Sequence, residues 1–572
     1  MKYFIDSLSI NIRSRRKLYP ATAHFKSLRE FSVPFVATNT VDQYSKISET
    51  MRRELQLRRR FLDRRRWTLQ DMIISLLLLF PAADQCSSHR RILVEAGVRL
   101  DVQGKEAVMS NGVVSVTLSV PDGLVTGISY RGIGNLLETG NPENDRGYWD
   151  AIWLGPGING EQDRLEGTSF EIVANNENGV EISFARRWDS ASRNGGAPVN
   201  IDRRFVMLRE SPGFYIYTIL ERLEGFPGVR MEENRVVFKP RGDMFHYMAV
   251  SDDRRRFMPT PQDRQTGQKL DYPEAVLLTR PSMPGLRGEV DDKYFYSSES
   301  KDIKVHGWVC TNPPVGFWMI TASNEFRTGG PLKQELTSHV GPTMITTFVS
   351  RHYAGEDLDV KFEDGEAWKK VLGPVFLYLN SDPTAESDPS VLWNDAKERM
   401  NQEVESWPYD FVHSVDYMKS DQRGIVKGRL FVHDWFIDEQ PVPASHAYVG
   451  LAVQGSPGSW QRENKGYQFW TQADTDGNFF IKSVTAGTYN LYATVPGRIG
   501  DYKYEFDISI QPGLENMACG RDIQKYILLE ILYTLLELVI TLKTGFLLMS
   551  PGNWEMEHME QPHGELYSSY KV

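Results

Sequence analysis

An all-β fold is predicted: a large antiparallel β-sandwich followed by a small one. Three observations carry this. From about Val94 the chain runs in short stretches of alternating apolar and polar residues, separated by Pro, Gly, Asn and Asp turns. Aromatic residues reach 12%, with 13 Trp and 25 Tyr, a composition that suits strands. Only one convincing helical stretch interrupts them, and its apolar positions are sparse.

In the stretch "GVVSVTLSVPDGLVTGISYRG" the alternation folds back at Pro121-Asp122-Gly123. "FEIVANNENGVEISFARRW" turns at Asn178-Gly179, and "RRFVMLRESPGFYIYTILER" turns at Ser211-Pro212-Gly213. Strands at this spacing suggest a large sandwich over 94–410. The helical stretch "PSVLWNDAKERMNQEVESW" offers Val391, Leu392 and Ala396, too few for a deep core helix. After Trp407-Pro408 a second β unit, 411–515, starts in earnest near Gly424. Its Asp476-Gly477 turn, Phe480 strand and Gly487-x-Tyr489-x-Leu491 run resemble the fibronectin-like or carboxypeptidase-regulatory-like sandwich, a module that by itself implies no chemistry.

Both ends depart from this pattern. Residues 1–93 form a basic leader: "MRRELQLRRRFLDRRR" has eight Arg against two acids and precedes the apolar run 72–83. That order reads as a secretory signal set deep in the chain, and the run is short of the ~20 residues a membrane span needs. Initiation at Met51 or Met72 would bring it nearer the start, and a basic tail before a poor anchor is the competing reading. The tail 516–572 holds an apolar segment, 526–549, broken by Glu530, Glu537 and Lys543. Membrane contact is expected only through these two segments. A net charge of -10 excludes nucleic acid as a general partner. Three distant cysteines without a CxxC pair exclude a disulfide framework and a thiolate zinc site, and no metal-ligating set is expected.

Dinucleotide, P-loop, zinc-protease and serine-hydrolase motifs are absent from the sequence. What remains is a set of short stretches in the large β unit: "RGYWD", "FHYMA", "GEVDDKY", "VHGW", "RTGGPLKQELTSHVGPT", "HYAGED" and "VESWPY". Together and in this order they resemble the rhamnogalacturonan lyases of polysaccharide lyase family four, in their plant form, over about residues 94–512. The resemblance implies a galactose-mutarotase-like catalytic sandwich, a fibronectin-like domain and a C-terminal jelly roll; here the tail stands in place of the jelly roll. It further implies β-elimination between rhamnose and galacturonate in pectin, no cofactor for catalysis, room for a structural calcium, a monomer, and secretion to the cell wall.

The chemistry sets its own demands. Elimination from a uronate removes the C5 proton beside the carboxylate and expels the C4 oxygen, so a cation, a base and an acid are needed. In galacturonate these two groups lie on opposite faces, so base and acid should come from different elements. Lys293 and His339 resemble the family's catalytic lysine and histidine. Read as a strand residue, Lys293 shares its face with Asp291, which would hold it charged as a carboxylate clamp; without the resemblance, a surface lysine is the better reading. Arg146, Arg241 and Arg327 are candidates for the polymer's carboxylates, or surface ion pairs. His246, Tyr247, Tyr294, Tyr296 and His306 are further substrate-contact candidates, with packing as the alternative for the histidines. Trp149, Trp308 and Trp318 are candidate stacking platforms, although tryptophan in a strand is more often core. An inactive or carbohydrate-binding protein on the same scaffold is the rival function. A sugar epimerase is disfavoured, because no compact two-acid-and-histidine set is present.

Overall fold

The computed structural model describes residues 97–155, 157–190, 196–272, 274–339, 341–433, 438–512 and 528–530. The signal-like run lies outside the described residues, as does the apolar tail apart from 528–530. Where the sequence alternates, so does burial: in Val114–Ser119, Val114, Val116 and Leu118 are buried and the residues between them half-buried. All three anticipated turns join antiparallel neighbours, and Gly123 takes a left-handed φ of 72° that its turn requires.

Two sheets build the large sandwich. The nine-stranded sheet runs, in spatial order, 255–257, 247–249, 305–311, 314–321, 368–380, 213–222, 200–208, 179–186 and 169–176. Its partner runs 338–339, 343–350, 229–238, 147–155 and 158–163, with 360–362 also paired to 229–238. The inner faces meet through aromatic rings. Phe238 of the smaller sheet lies 6.1 Å from Phe214 and 6.2 Å from Phe317 of the larger, centroid to centroid. Each such pair adds roughly 0.5–1.5 kcal/mol beyond the area it buries.

The helix Ser390–Ser406 covers the outer face of the nine-stranded sheet. Leu392, Trp393 and Ala396 are buried, and Trp393 meets Trp318 at 5.7 Å. Among the described residues no helix is long and apolar enough to cross a membrane.

The small sandwich pairs 423–429 with 478–485 and sets 448–452 between 469–472 and 487–494. Val449, Leu451, Phe469, Ile481 and Leu491 fill its core. The expected end at 515 leaves out one element: Leu528–Glu530 pairs in parallel with Phe431–His433. The two sandwiches are joined directly. Gln468 N donates to the Glu325 carbonyl, Trp368 Nε1 to that of Lys465, and Lys370 Nζ to that of Gly466.

Candidate active site

The site grows from strand alternation on the smaller sheet of the large sandwich. In 229–238, Asn234 and Val236 point into the core, so Arg235 and Val237 face outward. The neighbouring strand obeys the same rule: Trp149 donates Nε1 to Asn234 inside, at 2.8 Å, while Tyr148 and Asp150 stand outside. Across the register Arg235 meets Asp150 with two bonds, 2.9 and 3.2 Å, and Glu233 at 2.5 Å. Burial works against the guanidinium charge, but Asp150 and Glu233 outweigh it and raise its pKa. Glu233 is held in turn by His352 Nδ1 at 2.8 Å. Burial, with Asp150 beside it, pushes the Tyr148 phenol up to about 12.

This face floors an open cleft of about 450 Å³, lined by Tyr148, Arg235, Lys239, His339 and Pro342 among others. His339 ends a two-residue strand just before the Gly341 turn, whose φ is 82°. Its Nε2 lies 3.0 Å from Glu274 Oε2. The other oxygen of Glu274 lies 3.2 Å from Lys293 Nζ. Residues 65 and 19 positions from Glu274 along the chain thus share one carboxylate at the cleft's rim. Burial holds the His339 pKa below its usual 6.5; Glu274 opposes this, and the charges of Lys293 and Arg235 add to it. Neutral imidazole is therefore the dominant form at pH 7. The Tyr353 hydroxyl donates to the Lys293 carbonyl at 2.7 Å and anchors the turn that carries the lysine.

Several sequence expectations are corrected here. Lys293 lies in the turn between Val290–Asp291 and Ser297–Glu299, so strand alternation does not apply to it. Asp291 is buried against Arg264 and the Tyr296 hydroxyl; the carboxylate beside Lys293 is Glu274. Trp149 is 0% exposed and stacks on Phe348, and Trp308 and Trp318 are equally core residues, so none offers a face to a sugar. Arg327 is buried with its guanidinium bonded to Asn324, Thr347 and Thr321. His306 is buried and donates Nε2 to the Ile345 carbonyl, and Tyr296 is buried against Asp291. Arg146 spends its guanidinium on the carbonyls of Thr126, Thr139 and Asn141.

Other candidates keep some surface. Arg241 sits between two cleft-lining residues, Pro240 and Gly242, but turns onto Asp243 at 2.5 Å. His246 is exposed and Tyr247 half-buried, at the start of the second strand of the nine-stranded sheet, whereas His339 belongs to the other sheet. Tyr294, 63% exposed, leans on Tyr353 with ring centroids 5.2 Å apart. Arg235, Asp150, Tyr148 and Glu274 were missed. Alternation in "RGYWD" could have found Tyr148 and Asp150, the neighbours of the residue chosen there. Nothing local marked Glu274. Among the described residues no group of three or more His, Cys, Asp or Glu is arranged to hold a metal ion.

The fold is that of a two-module β-sandwich protein with an open cleft on the smaller sheet of the larger module. Residues 87–290 match the Rhamnogalacturonate lyase family, and 444–516 match polysaccharide lyase family 4, domain II. The chain is 24% identical over 405 residues to a rhamnogalacturonate lyase of Dickeya dadantii, covering 70% of this chain and 62% of that protein. With rhamnogalacturonate lyase B of Emericella nidulans it shares 25% over 321 residues, 52% of this chain and 45% of that one. The chain thus spans about half to three-fifths of these relatives' length. A galactose mutarotase-like protein from Lactobacillus casei aligns over 50% of this chain and 100% of its own, at 8% identity and a TM-score of 0.27, too low to carry an argument.

Proposed function

We propose that this protein cleaves the rhamnogalacturonan backbone of pectin between rhamnose and galacturonate by β-elimination, outside the cell. One observation carries the reading: Lys293 and His339, brought from separate segments, meet on Glu274 beside a cleft whose floor holds a fixed Arg235. The family relationship supplies the polymer. The requirements of the reaction, a cation for the carboxylate and groups to take and give protons, are met by these side chains.

Two divisions of labour fit this geometry. In one, His339, neutral at pH 7, takes the C5 proton while Lys293 and Arg235 hold the carboxylate. In the other, the entering polymer draws Lys293 away from Glu274, and the lysine takes the proton while Arg235 alone neutralises the carboxylate. The depressed His339 pKa favours the first; the resemblance of Lys293 to the family's lysine favours the second.

Absorbance of the unsaturated product tests the function, with rhamnogalacturonan and unbranched polygalacturonate compared. Product is expected from the first polymer and not the second. Lys293→Ala should lower turnover by about 10²–10⁴-fold with the fold intact. Lys293→Arg divides the two roles, because arginine keeps the charge and does not deprotonate near neutral pH: a clamp tolerates it, a base does not. A chain that binds the polymer but yields no unsaturated end under any condition would instead be a binding protein on this scaffold.

A further inference from the structure

A second and larger cleft, of about 710 Å³, opens where the two sandwiches meet. Its walls are fixed before any ligand arrives. Glu325 of the large sandwich and Arg423 of the small one form a buried ion pair at 3.0 Å, and the Gln468 N–H bonds across the same joint. The small sandwich contributes an aromatic wall. Tyr448 and Trp470 are half-buried, and Phe480, 41% exposed, lies beneath the ammonium of Lys482 at 5.5 Å. Trp470 is locked in place: its Nε1 donates to Gln468 Oε1 at 2.9 Å, and its ring lies over Gly450, where a Cβ would come within 2.3 Å. Rigid aromatic faces of this kind cover sugar rings at little entropic cost.

The large sandwich contributes charge. Lys301 is taken up by Glu299 and Asp302. Lys304 is different: it lines the cleft, it is half-buried, and among the described residues no ion pair or side-chain hydrogen bond engages its ammonium. Burial alone lowers its pKa, with no neighbouring carboxylate opposing. Glu405 stands on the rim as the one lining acid without a cationic partner among the described residues, against Lys304 and Lys482. A half-desolvated ammonium with no partner costs stability and is offset only when an anion arrives.

We propose that this junction cleft is an auxiliary binding site for a carboxylate-bearing oligosaccharide, with Lys304 and Lys482 meeting the acid and Trp470 and Tyr448 lying against the rings. The class of polymer follows from the proposed function; the cleft and its unpartnered lysine do not depend on it. Such a site would hold one part of an acidic chain while the Lys293–His339 cleft acts on another.

The test is site-resolved amide hydrogen exchange on the full chain carrying Lys293→Ala, with a rhamnogalacturonan hexasaccharide as probe. Added hexasaccharide should protect segments 300–304 and 469–472. Adding Lys304→Met should raise the half-saturating concentration for that protection by ~tenfold or more, the worth of a charge-assisted contact. It should leave protection around 338–345 unchanged. Removing an unpartnered lysine should not unfold the chain, and Lys482→Ser, on an exposed residue, gives a second variant with the same expected direction. Absence of protection at the junction overturns the proposal, as does equal protection by a neutral galactan hexasaccharide, or a Lys304→Met chain that responds like its parent. Failure of the proposed lyase activity would show separately, as absence of unsaturated product from the unmutated chain.

Discussion

Glu325 and Arg423 face each other across the junction of the two sandwiches at 3.0 Å, each side chain only 4% exposed. Glu325 also accepts from Trp407 Nε1 at 3.2 Å, so its carboxylate is fully engaged. A charge buried to this degree cannot be left alone cheaply. Arg423→Met should therefore destabilise the chain by about 3–5 kcal/mol, measured by urea unfolding. Adding Glu325→Leu should recover much of that loss, because the orphaned charge goes with it. A single variant within about 1 kcal/mol of the parent would show that solvent reaches the pair.

Asp150 gives Arg235 its orientation, and Gln162 Nε2 bonds Asp150 in turn at 2.5 Å. Asp150→Asn keeps the shape but halves the grip on the guanidinium. If Arg235 meets the polymer's carboxylate, misplacing it should lower kcat/KM by about 10²-fold. Steady-state kinetics on rhamnogalacturonan would check this, and unaltered kinetics would remove Arg235 from the site.

Trp149 tests a core assignment against a binding one. With 0% exposure and Phe348 stacked at 4.9 Å, its loss leaves a large cavity. Trp149→Ala should cost about 3–5 kcal/mol of stability. Trp149→Phe, which keeps a ring, should bind polymer as the parent does. Weakened binding by a stably folded Trp149→Phe chain would return this residue to the site.

The contrast between Trp149 and Tyr148 also shows how far the sequence could be read. The hairpins at Gly123, Gly179 and Gly213 were legible because turn chemistry and two-residue periodicity act over a few neighbours. The stretch "RGYWD" reaches the cleft through Tyr148, but which of its side chains faces the cleft depends on which face of the sheet is covered, a tertiary fact. Lys293 and His339 were named from resemblance. Their meeting on Glu274 was not, because a loop carboxylate held at φ 64° leaves no periodic trace. Asp291 was assigned to Lys293 by assuming strand geometry where the chain turns.

Glu274 has a definable effect on pH dependence. Burial, Lys293 and Arg235 lower the His339 pKa, and Glu274 raises it. Glu274→Gln should therefore lower it further. If turnover needs neutral His339, the acid limb of the kcat/KM profile should move to lower pH in this variant. A shift to higher pH, or none, would mean that His339 does not set that limb.

His306 offers a stability counterpart with a different sign of consequence. It is fully enclosed, and burial, with the charge of Arg327 adding to it, pushes its pKa from 6.5 down to about 3. In the folded chain it stays neutral between these values; in the unfolded chain it takes a proton below about 6.5. The unfolded state then binds more protons, so stability must fall as pH drops through this window and level off below pH 3. One group contributes at most about 1.4 kcal/mol per pH unit, or about 2 kcal/mol by pH 5. Carboxylates shared by both proteins cancel in a comparison with His306→Gln, whose amide can still donate to the Ile345 carbonyl. Urea unfolding at pH 7 and pH 5 should thus show a smaller loss for the variant than for the parent, by about 2 kcal/mol. Equal losses would mean that His306 gains its proton in the folded state as well.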